Sequence, residues 1–148
     1  MHNQALNCIL RIGRCFQTYR RQQLRDIDLT PMQQLLISHI CRHPGQSQDC
    51  CAESLCLDKT TVAHHMLRLE KSGYVNRQVS PEDGRARCVF PTESALALYP
   101  RIHESHETFT SALLTGLSQE DQQELTRLSE ILYQNALRLS NRQGDKKQ

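Results

Sequence analysis

The side chains best suited to directed chemistry are concentrated in residues 58–91. One face of a predicted helix there displays hydroxyl, imidazole, ammonium and guanidinium groups: Lys59, Thr60, Thr61, His64, His65 and Arg68. Hydroxyls and imidazoles hydrogen-bond to base edges, whereas the cationic groups pair with phosphates. The sequence has no glycine-rich phosphate loop, nucleophile elbow or convincing carboxylate pair, so it predicts a nucleic-acid contact and not an enzyme.

Capping residues define the helix that carries this face. Asp58 is a favourable N-cap, and Gly73 is a common type of residue just past a helix end. The opposite face of the predicted helix, residues 59–72, is apolar and should be buried: Val62, Met66 and Leu69. A helix that is polar outward and apolar inward is suited to lie in a DNA major groove.

A charged hairpin follows this helix. Residues 74–79 and 87–90 are predicted to pair as strands around the turn-forming residues 80–86. The tip carries Arg85, whose guanidinium would be attracted by the negative potential of a minor groove. Helix and hairpin together predict a winged helix-turn-helix, in which the helix fills a major groove and the hairpin reaches the neighbouring minor groove.

Amphipathic periodicity and capping signals outline the remaining helices. They are expected at about residues 4–25, from Thr30 to the Pro44–Gly45 stop, at about residues 47–55, from Thr92 to about Leu114, and from Ser118 onward. Thr30 and Gln33 have the spacing of a capping box, and Ser118 with Asp121 resembles a second one.

The composition sets bounds on the class of protein. With 148 residues the chain has room for one domain, predicted to span residues 1–148. The hydrophobic share is 38%, with three Phe, four Tyr and no Trp, which is thin for a self-sufficient core. The leucine-bearing terminal helices therefore indicate that apolar surface is buried between subunits. No secretory signal or apolar run approaching ~18 residues is present, so a cytoplasmic protein without membrane contact is expected.

Three motifs resemble those of the MarR family of bacterial transcriptional regulators. They are Leu29-Thr30-x-x-Gln33, Leu69-Glu70-x-x-Gly73-Tyr74-Val75-x-Arg77 and Asp83-x-Arg85-Ala86-Arg87. The resemblance covers about residues 5–140. It implies a sequence-specific DNA-binding regulator, most often a repressor, that binds a pseudo-palindromic operator as an obligate homodimer joined through its first and last helices.

The resemblance also divides the chain into parts. About residues 30–91 would form the winged-helix DNA-binding part, about 4–25 and 92–141 the dimerisation helices, and 142–148 a flexible tail. The predicted fold class is therefore mainly α with a small β-wing, a winged helix-turn-helix domain plus N- and C-terminal dimerisation helices.

Individual roles follow for residues near the expected DNA. Arg85 matches the family arginine that enters the minor groove, and Asp83 is expected to orient it through a charge-assisted bond. The free N–H groups of the helix that Asp58 caps can face a phosphate. Arg77 and Arg87 are expected either to contact phosphates or to brace the wing.

The sequence is compatible with more than one kind of signal for releasing the protein from DNA. The family pocket lies between the dimer helices and the winged domain, where Arg11, Arg14 and His39 are the residues expected to bind a small anionic or phenolic effector. His39 is alternatively a hydrogen-bonded core histidine. A redox trigger through Cys8 or Cys15 is another alternative, because nearby arginines could favour a reactive thiolate.

Two further alternatives concern metal and partner. His103 and His106, at i and i+3 on one helix, could coordinate zinc, but a solvated helix face is the preferred interpretation. No metal or cofactor is therefore predicted. A winged-helix interaction module that does not bind DNA is the remaining alternative, and the arginine-tipped wing argues against it.

Overall fold

The computed structural model describes residues 2–144, with side-chain exposure described for residues 4–139. Within this part of the chain the elements are α1 His2–Gln23, α2 Pro31–Arg42, α3 Gln48–Ser54, α4 Lys59–Lys71, β1 Val75–Val79, β2 Arg87–Pro91, α5 Glu93–Leu113 and α6 Gln119–Gly144. The predicted fold class, mainly α with a small β-wing, is confirmed. The chain divides into two compact units, Met1–Phe109 and Thr110–Gln148. The assignment of the terminal helices to dimerisation stays a prediction.

Side-chain caps start the helices of the first unit where the sequence predicted them. Thr30 Oγ1 accepts from the backbone N–H of Gln33 over 3.3 Å, and Gln33 Oε1 accepts from the backbone N–H of Thr30 over 2.8 Å. Pro31 then occupies the first turn of α2, where a missing N–H costs nothing. Ser47 caps α3 and Asp58 caps α4. Each cap satisfies a backbone donor that the first helical turn leaves unpaired.

The core of the first unit lies between α2, α4 and the two strands. The side chains with almost no exposure are Leu36, Ile37, Ile40, Cys51, Val62, Met66, Leu69, Val75 and Val89. The three predicted apolar positions of α4 are all among them. Burying a Leu or Ile side chain contributes roughly 1.5–3 kcal/mol, so this cluster fixes which face of α4 points inward.

The two strands form an antiparallel hairpin whose ends are anchored to helices. The register runs from Val75 opposite Pro91 to Val79 opposite Arg87. Gly45, with φ +83°, donates its N–H to Val89 O over 2.8 Å. A Cβ at Gly45 would lie 3.2 Å from the Phe90 ring, so glycine serves both the backbone conformation and this close approach. The hairpin is thereby fixed to the end of α2.

The second unit contains the second predicted capping box, which starts α6. Ser118 N–H donates to Asp121 Oδ2, and Asp121 N–H donates to Ser118 Oγ, each over 3.1 Å. The following helix, α6, runs through Gly144. The flexible tail, 142–148, stays a prediction: residues 142–144 are part of α6, and residues 145–148 lie outside the described residues.

None of the helices in the described part of the chain is long and apolar enough to cross a membrane.

His39 makes the first unit sensitive to acid. Its Nε2 donates to Gln46 Oε1 over 2.7 Å, and the side chain is only 5% exposed. Burial lowers the pKa of His39 below its usual range. Because the folded pKa is depressed, the unfolded chain takes up the proton first, so stability present above the ordinary histidine pKa is lost as pH falls.

We predict that the melting temperature falls between about pH 7.5 and about pH 5.5, across the ordinary histidine pKa of about 6.5. The variant His39→Gln keeps a polar side chain that does not titrate, so its melting temperature should fall less over this interval in calorimetry. His103→Gln, which replaces an exposed histidine, is the matched control and should keep the wild-type slope. Equal slopes for wild type and His39→Gln would contradict the assignment.

Candidate nucleic-acid interface

The outward face of α4 presents most of the predicted contact residues to solvent. The exposed members of the set are Lys59, Thr60, His64 and Arg68. Leu67 is exposed on the same helix and was missed by the sequence analysis, which considered only polar side chains. Its spacing of three from His64 is the signal that could have found it. An apolar side chain at such a position is of the type that can contact a thymine methyl group.

Asp58 and Thr61 are committed to starting α4. The Asp58 carboxylate accepts from the Thr61 backbone N–H over 2.8 Å and also from the Thr61 hydroxyl. The hydrogen bond with the Thr61 side chain is the main reason that the pKa of Asp58 lies below its usual range. Both residues therefore set the position of the helix N-terminus, and Thr61 has its hydroxyl proton engaged before any DNA arrives.

The two histidines of α4 have different environments. Their rings lie 5.7 Å apart between centroids in an edge-to-face arrangement. His65 is half-buried, and its Nδ1 is buried without a hydrogen-bond partner. Burial first, then the charges of His64 and Arg68, lower the pKa of His65. His65 is therefore partly desolvated, whereas the neighbouring His64 is exposed.

Lys59 forms one solvent-exposed ion pair. Its Nζ lies 2.6 Å from Asp49 Oδ2, and both side chains are largely exposed. The partner carboxylate raises the pKa of Lys59, which stays a full cation. Exposed ion pairs of this kind contribute little to stability, so Lys59 can leave Asp49 for a phosphate at small cost.

The wing tip is shaped by Asp83 in a way that the sequence analysis did not predict. Asp83 Oδ1 accepts from the backbone N–H of Arg85 over 3.0 Å, and not from its guanidinium as expected. Ser80 Oγ accepts from the backbone N–H of Asp83 over 3.3 Å. A short carboxylate side chain reaches the N–H two residues on more readily than it reaches the end of a long, exposed arginine. Asp83 therefore fixes the turn, and the Arg85 side chain extends into solvent.

Arg77 braces the wing, which is the second of its two predicted roles. Its Nε and Nη2 donate to Glu70 Oε2 over 3.0 and 2.6 Å, and its Nη1 donates to Gln48 Oε1 over 3.4 Å. The hydrogen bond from Arg77 is the main cause that lowers the pKa of Glu70. The guanidinium thus joins β1 to α4 and α3, and it is not available to a phosphate in this geometry.

The wing and the start of α3 enclose a cleft of about 410 Å³. It is lined by Ser47, Gln48, Asp49, Asp83, Arg85, Ala86 and Arg87. Arg85 and Arg87 are both exposed. The two wing arginines therefore lie on the side of the molecule that carries the N-terminal end of α3 and, through Asp49, the Lys59 ammonium.

The predicted effector and redox residues are not brought together. Arg11 and Arg14 are exposed on α1, whereas His39 is buried and bonded to Gln46, which favours its interpretation as a core histidine. Cys8 and Cys15 are free thiols, both exposed. Among the described residues no group of three His, Cys, Asp or Glu side chains is arranged to hold a metal ion.

A buried arginine on α1 was missed by the sequence analysis. Arg20 is 5% exposed, donates from Nη2 to Gln34 Oε1 over 3.0 Å, and stacks with its guanidinium carbon 5.3 Å from the Phe16 ring centroid. Burial lowers the pKa of Arg20. No carboxylate in the described part of the chain forms an ion pair with it. The apolar periodicity of α1 gave no sign of this, because an arginine at such a position usually reaches solvent.

An outward polar helix face, followed by an arginine-tipped hairpin that is braced to it, defines a winged helix-turn-helix protein of the DNA-binding class. The sequence profile of the MarR family matches residues 29–86. A relative in Bacillus subtilis (strain 168), the uncharacterized HTH-type transcriptional regulator YybA, is 28% identical over 133 residues, which cover 90% of this chain and 89% of that protein. Over these residues the chain is similar to the MarR family of transcriptional regulators.

Solved structures agree with this assignment. The transcriptional regulator SlyA is 26% identical with a TM-score of 0.83, covering 89% of this chain and 93% of that chain. A MarR-family regulator from Listeria monocytogenes, solved in complex with a 26mer DNA, is 25% identical with a TM-score of 0.82, covering 88% of this chain and 87% of that chain. These relatives are regulators and not enzymes, as the sequence predicted.

We predict that Arg77→Ala lowers the free energy of unfolding by about 1 kcal/mol, because a half-buried guanidinium with two charge-assisted bonds is lost. Chemical denaturation measures the change. Arg87→Ala removes an exposed arginine from the adjacent strand and should leave the free energy of unfolding nearly unchanged. A double-variant cycle with Glu70→Gln should recover most of the Arg77 effect as coupling, and a coupling near zero would show that the ion pair does not brace the wing.

Proposed function

We propose that the protein is a cytoplasmic repressor that binds a pseudo-palindromic operator as a homodimer. The observation that carries this is the shared accessibility of the polar face of α4 and of Arg85 at the wing tip. The similar Listeria monocytogenes protein was solved with DNA, which supports the same use of the fold here. In this proposal α4 enters the major groove and Arg85 the neighbouring minor groove.

The site residues then divide into two groups. The proposed direct contacts are Lys59, Thr60, His64, Leu67, Arg68, Arg85 and Arg87. The residues that position this surface are Asp58, Thr61, Arg77 and Asp83, which are hydrogen-bonded within the protein, and His65, which is partly buried on α4. Substitution of the first group should change affinity for DNA, and substitution of the second group should change stability as well.

Dimerisation is supported by apolar surface that the single chain leaves uncovered. On α1 the exposed large apolar residues are Leu6, Ile9, Leu10 and Ile12. On α6 they are Leu125, Leu128, Ile131, Leu132, Tyr133 and Leu139. An exposed apolar stripe on a helix marks an interaction site, and a second copy of the chain is the proposed partner for both stripes. Two recognition helices about one DNA turn apart, ~34 Å, would then meet successive major grooves.

We predict that Arg85→Ala weakens operator binding by roughly 1–3 kcal/mol at fixed salt without lowering the melting temperature. Fluorescence anisotropy with a duplex that contains the inverted repeat gives the dissociation constant, and titration at high concentration should end at two chains per duplex. Arg127→Ala removes an equally exposed arginine from α6 and serves as the control for net charge. Absence of any salt-dependent binding of the wild-type chain to duplex DNA would instead favour the alternative, a winged-helix interaction module that does not bind DNA.

Release by a small acidic effector is the second part of the proposal, and Arg20 supports it. Arg77, Arg101 and Arg127 each have a carboxylate partner, whereas Arg20 has none among the described residues. Arg20 has only an amide and an aromatic face, although it is the most buried of them. A carboxylate that reaches a desolvated guanidinium is attracted more strongly than one at the surface. Such a ligand changes operator affinity by its differential binding to the two dimer conformations.

We predict that a panel of aromatic acids contains compounds that release wild-type protein from the operator, and that Arg20→Gln responds to them at least about tenfold more weakly. Arg11→Gln/Arg14→Gln tests the residues that the sequence analysis favoured and should respond as wild type does. Cys8→Ser/Cys15→Ser should also respond normally. If instead stoichiometric peroxide releases the wild type and the double cysteine variant is insensitive, the trigger is thiol oxidation.

A further inference from the structure

A second cavity lies between α1 and α5, within the first compact unit. It has a volume of about 320 Å³, at the lower end of the range for small-molecule pockets. Its walls come from Tyr19 and Gln23 in the C-terminal part of α1, from Leu24 just after that helix, and from the middle of α5. The exposed apolar residues of α1 all precede residue 13, so the cavity lies beyond the surface proposed for dimerisation.

One wall of the cavity contains a hydroxyl that lacks a partner. Ser105 is only 6% exposed, and its Oγ is buried without a hydrogen bond. Serine in the middle of a helix ordinarily bonds to a backbone carbonyl one turn earlier or reaches solvent. A buried hydroxyl without a partner is costly, and a polar ligand in the cavity would satisfy it.

The other polar groups of the cavity are charged with opposite signs. Arg101 and Glu104, at i and i+3 on α5, both line it. The Arg101 guanidinium is held in place by Asp26, whose Oδ1 accepts from Nη2 over 2.9 Å. This bond uses one of five N–H donors, so the remaining donors can still grip a carboxylate. Glu104 has no hydrogen bond or ion pair among the described residues.

The apolar content of the walls is small. Among the described lining residues, Leu24 is the only aliphatic one and Tyr19 the only aromatic one. An aromatic or aliphatic acid would therefore gain little from burial here, since the hydrophobic contribution scales with the apolar area removed from water. The cavity favours a compact ligand that is polar throughout.

We propose that this cavity binds a small zwitterion of the α-amino acid type, with its carboxylate on Arg101, its ammonium on Glu104 and a hydrogen bond to Ser105 Oγ. Residues three apart on a helix have Cβ atoms about 5–6 Å apart, a separation that side chains of this length close onto the two charges of one amino acid. The site is distinct from Arg20, whose bond to Gln34 turns it towards α2.

Ligand-observed saturation-transfer NMR on the full chain without DNA tests the proposal. The probe is a mixture of the common L-amino acids. Acetate, methylammonium and glycerol serve as controls that carry only a carboxylate, only an ammonium and only hydroxyl groups. At least one amino acid should bind, and none of the single-group probes should bind comparably. Because no DNA is present, failure of the operator or effector proposals would leave this result unaffected.

Variants assign the binding to the cavity. Arg101→Gln and Glu104→Gln should each weaken the amino acid by about tenfold, and Ser105→Ala by about threefold, with unchanged circular dichroism. Arg127→Gln removes a comparable surface ion pair on α6 and should bind as wild type does. Glu104→Gln alters an exposed side chain and keeps the test valid if Arg101→Gln is unstable. Absence of amino-acid binding, equal binding of glycerol, or wild-type affinity in both charge variants would overturn the proposal.

Discussion

The buried contact between α2 and α4 is the constraint on which the DNA-facing surface depends. Leu36, Ile37 and Ile40 of α2 share one buried cluster with Val62, Met66 and Leu69 of α4. Because the apolar residues of α4 follow a helical period, burying them turns every polar residue of the helix to solvent at once. The same cluster includes Val75 and Val89, so the wing leaves the core at a fixed point. Rotation of α4 by one residue would expose Met66 and bury a charge, which the energy of burial prevents.

Features that depend on neighbours within four residues could be predicted from the sequence. Both capping boxes, the N-cap Asp58 and the buried stripe of α4 are signals of this kind, and the structure contains each of them. Features that depend on distant packing could not be predicted. Gln34 meets Arg20 across 14 positions, and Asp26 meets Arg101 across 75. No local pattern specifies such partners, because a long polar side chain can reach many groups once the helices pack.

The error at Asp83 has the same origin at a smaller scale. Opposite charges two residues apart were expected to pair through their side chains, yet the carboxylate bonds to the backbone of Arg85. An exposed guanidinium keeps its conformational freedom and its hydration when it is not held, which outweighs a weak surface ion pair. A backbone N–H in a tight turn has fewer alternatives. The wing is thus hydrogen-bonded at its base and turn, while the guanidinium of the arginine that would enter a groove has no hydrogen bond among the described residues.

In the second unit, local sequence signals define the helix well, but the chain itself does not bury the apolar side chains of that helix. None of the described side chains from residue 110 to residue 139 is buried, although α6 carries a continuous apolar stripe. A helix with this pattern is stabilised mainly by packing and not by propensity. In the proposed homodimer, the free energy that holds α6 in place would come largely from apolar surface of the second copy, and the stability of this unit would then depend on protein concentration.

Helix α1 connects three features of the structure. Its N-terminal half carries an exposed apolar stripe, Arg20 lies buried two turns further on, and the helix leads directly to Leu24 in the core of the winged domain. A 22-residue helix is about 33 Å long, so a tilt of about 5° at one end moves the other by roughly 3 Å. A ligand that pairs with Arg20, or that fills the α1–α5 cavity, acts on the same rigid body that the dimer contact would hold. Ligand binding is then coupled to the DNA-facing surface if the ligand binds one tilt of α1 more tightly than another. The difference between these two binding free energies sets the largest change in DNA affinity that the ligand can cause.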